Sequence, residues 1–150
     1  MDTRQLKEYA DNKNFNEILN YLNDNEENID DIMKISFDSW DNNLLHIASI
    51  HNSQEIVMKI MDLSSSNQYV NIKNKSGFTA LHLSVYHGNI EIAEELLKNG
   101  SNYLEKTIKN FNLFDLACKG LQVRSIKFVK QHSDFYKLEL TNSKAIFENI

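Results

Sequence analysis

Proline is absent from this chain of 150 residues, cysteine occurs once, tryptophan once, glycine four times, and arginine twice against fourteen lysines. A single cysteine, Cys118, excludes an intrachain disulfide and any zinc site built from several thiolates. The four glycines do not cluster, so there is no glycine-rich phosphate loop; no Gly-x-Ser-x-Gly or kinase-like segment occurs either. No apolar run approaches the roughly 20 residues that span a bilayer. The first ten residues, MDTRQLKEYA, are polar and lack the apolar core of a secretory signal. A reducing, cytoplasmic setting fits these absences. The scarcity of proline and arginine beside abundant asparagine and isoleucine points to an AT-rich coding genome and carries nothing about activity.

What is present is ordinary in amount and uneven in placement. Hydrophobic residues make up 41% and aromatics 10%, enough for one folded domain with a continuous core. Net charge is −5. Residues 1–100 carry 8 Lys/Arg against 16 Asp/Glu, whereas residues 101–150 carry 8 against 5. An acidic first half disfavours nucleic acid, because phosphates would meet it. The basic excess around Lys119, Arg124, Lys127 and Lys130 reads as a solvated helix face that an acidic partner could also use. The acidic run Asp24–Asp31 lacks the glycine and spacing of a calcium loop and reads as a solvated linker.

The ordering principle is a repeat. In Gly77–Gly100, the turn Asn74-Lys75-Ser76-Gly77 precedes Thr79, a helix-capping residue, and a short apolar helix through Leu81, Leu83, Ser84 and Val85. His87-Gly88-Asn89 breaks that helix. Ile90, Ile92, Ala93, Leu96 and Leu97 then recur at spacings of three and four, marking a second amphipathic helix that Gly100 ends. Sliding back 36 residues aligns Leu45, His46 and Ala48 with Leu81, His82 and Ser84, and Ile56, Val57, Ile60 and Met61 with Ile92, Ala93, Leu96 and Leu97. Sliding forward 33 aligns Phe114, Leu116, Ala117, Ile126 and Val129. A degenerate copy lies over Leu6–Leu22. The longer offset implies about three inserted residues, placed at Ser64–Asn67. Helix pairs repeating at this period stack into a solenoid rather than closing round a pocket.

The segment Gly77-Phe78-Thr79-Ala80-Leu81-His82, followed by Gly88, Leu96-Leu97 and Gly100, resembles the ankyrin repeat, and Asn43-Leu44-Leu45-His46 with Ala48 is a second match. Ala80 and Leu44 stand where the family has proline, Asp41 and Asn52 where it has glycine, and Asp115 where it has histidine. The expected fold is an all-α ankyrin-repeat solenoid forming a single domain over 1–150. It has about four units, near 5–35, 38–73, 74–106 and 107–133, with degenerate end units as caps. Asn12, Lys13, Asn14 and Asn16 suit a polar outer face. Segment 134–150 either caps the stack, through Phe135, Tyr136, Leu138, Leu140 and a short helix over Ser143–Ile150, or starts a further unit of a longer protein.

Chemistry finds little support in the chain. His46/His51 and His82/His87 are spaced five apart, which turns the two rings of a pair about 140° from each other on a helix. No Cys or carboxylate cluster completes a metal site. The resemblance implies that His46 and His82 brace turns. Cys118 lacks a positioned histidine and reads as a small core residue. No catalytic residue, metal or cofactor is expected. The resemblance implies a non-catalytic, monomeric module that binds a partner protein through hairpin tips and a concave face. The positions implied are Ser39, Trp40, Asn42, Ile50 and His51, then Lys75, Ser76, Phe78, Tyr86 and His87, then Ile108, Lys109, Phe111 and Lys119. Among these, Trp40, Phe78, Tyr86 and Phe111 form an expected aromatic ladder. The alternative is a substrate-recruiting module of a larger enzyme, palmitoyltransferase-like, or of a pathogen effector.

Overall fold

The computed structural model describes residues 3–64 and 67–133. Among these residues there are helices and loops and no strand. The helices are α1 (Thr3–Asp11), α2 (Phe15–Asp24), α3 (Ile29–Ile32), α4 (Leu44–Ile50), α5 (Gln54–Leu63), α6 (Ala80–His87), α7 (Ile90–Lys98), α8 (Leu113–Lys119) and α9 (Val123–Ser133). They pair as α1/α2, α4/α5, α6/α7 and α8/α9. The pairs stack in two layers. Helix α6 packs between α4 and α8 in one layer, and α2, α5, α7 and α9 follow one another in the other. The expectations for segment 134–150 lie outside the described residues.

The stack explains which helices are amphipathic. Helix α7 buries Ile90, Ile92, Ala93 and Leu96 on one face and turns Glu91, Glu94 and Lys98 outward. Helices α4 and α6 have neighbours all round, and every residue of Leu44–Ser49 and Ala80–Val85 is buried. Helix α1 has a neighbour on one side only and buries just Leu6 and Ala10, while Asn12, Lys13, Asn14 and Asn16 stay exposed. The small residues Ala48, Ser84 and Ala117 are fully buried where the inner helices meet. One core cluster runs unbroken from Leu6 to Val129. Each fully buried Leu or Ile in it contributes about 1.5–3 kcal/mol.

Buried polar groups are satisfied across the repeat boundaries. The Ser49 carbonyl accepts from Asn89 Nδ2 at 2.8 Å, and the carbonyl of Val85, 36 residues later, accepts from Ser125 Oγ at 2.5 Å. Three inner helices share one N-terminal device. Asn43, Thr79 and Asn112 each accept from the backbone N–H three residues on, and the side chain there, His46, His82 or Asp115, accepts from the capping residue's own N–H. Each imidazole therefore receives a hydrogen bond at Nδ1 and carries its proton on Nε2. His46 donates that proton to the carbonyls of Ile72 and Phe78, at 3.1 and 3.0 Å, and His82 donates to Glu105 at 2.9 Å. Asp115 builds the same cap but has no second ring nitrogen with which to reach onward.

The acidic run is a correction to the linker reading. Residues Glu26–Asn28 form a 3-10 turn that leads into α3, which buries Ile29 and Ile32. Its charges reach the next repeat: Asp30 accepts from Tyr69 and Gln68, and Glu26 pairs with Lys59. Ile29 inside the run and Ile32 just after it, three residues apart, were the signal for this insert.

Candidate protein-interaction site

Each of three hairpin loops is braced by one side chain. Asp38 Oδ1 accepts from the backbone of Trp40 and Asn42 at 2.9 and 3.1 Å. Asn74 Oδ1 accepts from Ser76 and Phe78, both at 3.0 Å, and Thr107 Oγ1 accepts from Phe111 at 3.2 Å. A residue with positive φ closes each turn: Asp41 at 57°, Gly77 at 77° and Asn110 at 63°. Asp41 and Asn110 manage this because a short polar side chain tolerates the left-handed region. The hairpins are tied in series by backbone bonds, from Lys75 N–H to the Trp40 carbonyl at 2.9 Å and from Ile108 N–H to the Ser76 carbonyl at 3.1 Å.

This ladder leaves a groove of about 390 Å³ across the tips, lined by Trp40, Lys75, Ser76, Phe78, Thr107, Ile108, Lys109 and Phe111. Trp40 is 59% exposed and Ile108 73% exposed, both large apolar side chains in water. Phe78 and Phe111 are half-buried. Phe78 meets the His82 ring edge to face at 6.1 Å. Lys119 comes from the far end of α8 to sit over the Phe111 ring, 4.4 Å from its centre.

The expected contact residues divide into two places. Trp40, Lys75, Phe78 and Phe111 line the groove, and Lys119 borders it through Phe111. Ile50, His51, Tyr86 and His87 lie instead at the C-terminal ends of α4 and α6. There His51 and His87 are exposed, Ile50 and Tyr86 half-buried. The His51 ring stands 5.5 Å from Phe15, and Tyr86 lies edge-on to His87 at 5.2 Å. Partial burial lowers the pKa of both histidines, helped by Lys13 at His51 and by His51 at His87. Tyr86 does not line the groove, so the aromatic ladder is three rings, not four.

Asn42 is a correction. It is only 4% exposed, donates to Asp38 Oδ2 at 2.8 Å and accepts from Asn74 Nδ2 at 2.9 Å. The residue joins the first two hairpins internally and offers no surface to a partner. Ile108, one of the positions implied by the resemblance, is the opposite case: it stays largely exposed and lines the groove.

The alternative chemistries are no better served by the geometry. Burial lowers the pKa of His46 to about 4 and that of His82 in the same direction, so both are neutral and committed to backbone partners. Partial burial and the nearby Asp115 push the Cys118 thiol up, away from the thiolate a nucleophile needs. Among the described residues no three His, Cys, Asp or Glu side chains gather as metal ligands, and no helix is long and apolar enough to cross a membrane.

A family model described as ankyrin repeats in three copies matches residues 6–107. NF-kappa-B inhibitor alpha of Gallus gallus is 29% identical over 89 residues, which is 59% of this chain and 28% of that protein. Ankyrin repeat and SOCS box protein 3 of Homo sapiens is 36% identical over 58 residues, 39% of this chain and 11% of its own length. A poly [ADP-ribose] polymerase tankyrase of Caenorhabditis elegans is 34% identical over 95 residues, 61% of this chain and 4% of that protein. The chain thus spans well under a third of each of these relatives. A family match across most of the helix pairs, together with the serial hairpins, the imidazole-closed caps and the two-layer stack, makes this chain a member of the ankyrin repeat family.

Proposed function

We propose that this chain is a non-catalytic, cytoplasmic protein–protein interaction module whose principal contact surface is the groove across its three hairpin tips. The exposure of Trp40 and Ile108 on either side of that groove carries the reading. Apolar side chains of this size cost free energy in water, and exposed apolar groups lining one groove mark a binding surface. Trp is also the side chain most enriched among interface anchors. Ankyrin repeats generally serve as protein-interaction modules, which agrees with this use of the surface. His51 and His87, at the other ends of the inner helices, form a secondary contact region.

Affinity capture from native lysate tests the proposal. A Trp40→Ala/Ile108→Ala double variant loses the captured protein, whereas Glu94→Ala, on the exposed face of α7, retains it. Neither change moves the melting temperature appreciably, because exposed substitutions stay within about 0.5 kcal/mol. Capture that survives the double substitution refutes the groove as the contact.

The names of the relatives favour a second reading, in which this module recruits a substrate to other modules of a longer chain. One is named for a SOCS box and another as a poly [ADP-ribose] polymerase. The reading of the full coding sequence decides it: absence of any further domain would exclude the recruiting role.

A further inference from the structure

The hairpin register explains why the tips form a notch rather than a ridge, and the notch carries charge of one sign. Trp40, Ser76 and Lys109 occupy the same place in successive hairpins, 36 and 33 residues apart. Ser76 is the small member between two large ones, which opens the depression. The place two residues on is held by Asn42, Phe78 and Phe111, so Phe78 and Phe111 form its floor.

No residue lining the groove is acidic, although the chain as a whole has a net charge of −5. Lys75 and Lys109 line it, and Lys119 is held at its edge by the Phe111 ring. Lys75 is drawn partly toward Asp41 at 3.5 Å. Lys109 and Lys119 make no ion pair among the described residues, unlike Lys73, which Glu105 neutralises at 2.5 Å. Apolar walls, an aromatic floor and unpaired ammonium groups at one end together select for a ligand that is apolar and anionic at once.

We infer that this groove takes an extended peptide segment of a partner protein in which a large apolar side chain is flanked by aspartate or glutamate. The apolar side chain enters between Trp40 and Ile108, over Phe78, and the carboxylates meet Lys109 and Lys119. This deepens the proposed function and rests on it. Complementary rim charge acts mainly on specificity and association rate, so the anionic preference should weaken as salt rises.

Selection from a library of short random peptides displayed on phage tests it without assuming a sequence. Trp40 is the only tryptophan, so its fluorescence reports directly on the groove. The expected winners carry an aromatic or aliphatic residue beside Asp or Glu and shift Trp40 emission. Replacing their carboxylates by Asn and Gln weakens binding about tenfold, as does Lys109→Glu/Lys119→Glu in the full chain. Winners that are neutral or basic, an amide analogue that binds equally well, or a library with no binder that perturbs Trp40 would each overturn the inference. So would a shift of Trp40 by single-stranded RNA alone. The two levels separate in lysate capture. Loss with Trp40→Ala/Ile108→Ala but not with Lys109→Glu/Lys119→Glu upholds the interaction module and overturns the acidic ligand. Retention with both overturns the groove as the contact surface, and the acidic ligand with it.

Discussion

Gly77 should tolerate alanine much less well than Gly100, although both have positive φ. At Gly100 φ is +89° and an added Cβ meets nothing within 4 Å. The cost of Gly100→Ala is therefore conformational alone: about 1–2 kcal/mol for an L-residue in the left-handed region, less about 0.5 kcal/mol from restricting the unfolded chain. At Gly77 φ is +77°, and the same Cβ would lie 2.7 Å from the backbone nitrogen of Ile108. That nitrogen holds the third hairpin to the second through its 3.1 Å bond to Ser76. Backbone cannot step aside as a flexible side chain can, so the hairpins must part. Losing that bond adds about 1 kcal/mol, and displaced packing of Ile108 adds to it. Gly77→Ala should thus destabilise by roughly 2–3 kcal/mol, against about 1 kcal/mol for Gly100→Ala. At about 2–4 °C per kcal/mol for a domain of this size, the two variants should melt several degrees apart. Asparagine, which accepts the left-handed region, separates the two costs: it should rescue position 100 and fail at 77. Differential scanning calorimetry of the four variants decides the matter. Equal losses at the two positions, or rescue by Asn at both, would refute the steric account.

Three further expectations rest on single residues. His46 has its folded pKa lowered to about 4, against 6.5 when unfolded, so the unfolded chain takes up the proton first as pH falls. Stability from this group is whole above pH 6.5 and drains away as pH drops through 4, by about 3 kcal/mol in all; urea midpoints across that range should fall accordingly, and His46→Asn should flatten the profile while lowering stability at neutral pH. Leu121 has φ +54° and is 84% exposed, so it bears left-handed strain with little packing in return. Leu121→Gly should raise stability by about 0.5–1 kcal/mol; a lower melting temperature would contradict this. A Cβ on Gly120 would fall 2.0 Å from the Tyr86 carbonyl oxygen. Gly120→Ala should cost about 3 kcal/mol by forcing α8 from α6, and an unchanged urea midpoint would show that the repeats are not held that close.

The helix pairs were legible because burial writes itself into spacing. Ile90, Ile92, Ala93, Leu96 and Leu97 announce α7 with no other information, and Thr79 marks the start of α6. The turn-bracing role of His46 and His82 followed from the family resemblance; their part in the helix caps, and the carbonyls they reach 23 to 32 residues ahead, belong to the fold. The candidate site was only half legible. Trp40 and Phe78 stand out by type, yet Asn42 looked equally available until the structure turned its amide inward. Tyr86 shares a repeat with Phe78 but sits at the opposite end of its helix. The acidic run hid Ile29 and Ile32 behind its charges, since composition averages over a segment whereas packing depends on which side each residue faces.

The two imidazoles point one way along the molecule, each lending its proton to backbone further along the chain: His46 to Ile72 at the close of its own unit and to Phe78 in the next, His82 to Glu105 just before the third hairpin. Completion is consequently directional. Removing units from the front leaves the remaining histidines supplied with their carbonyls, whereas trimming back to α4/α5 strands His46 with a buried N–H and nothing to receive it. During synthesis the His46 cap must wait for the hairpin that carries Phe78 to emerge before its proton is fully placed, so that part of the interior settles only after the chain beyond it has been made.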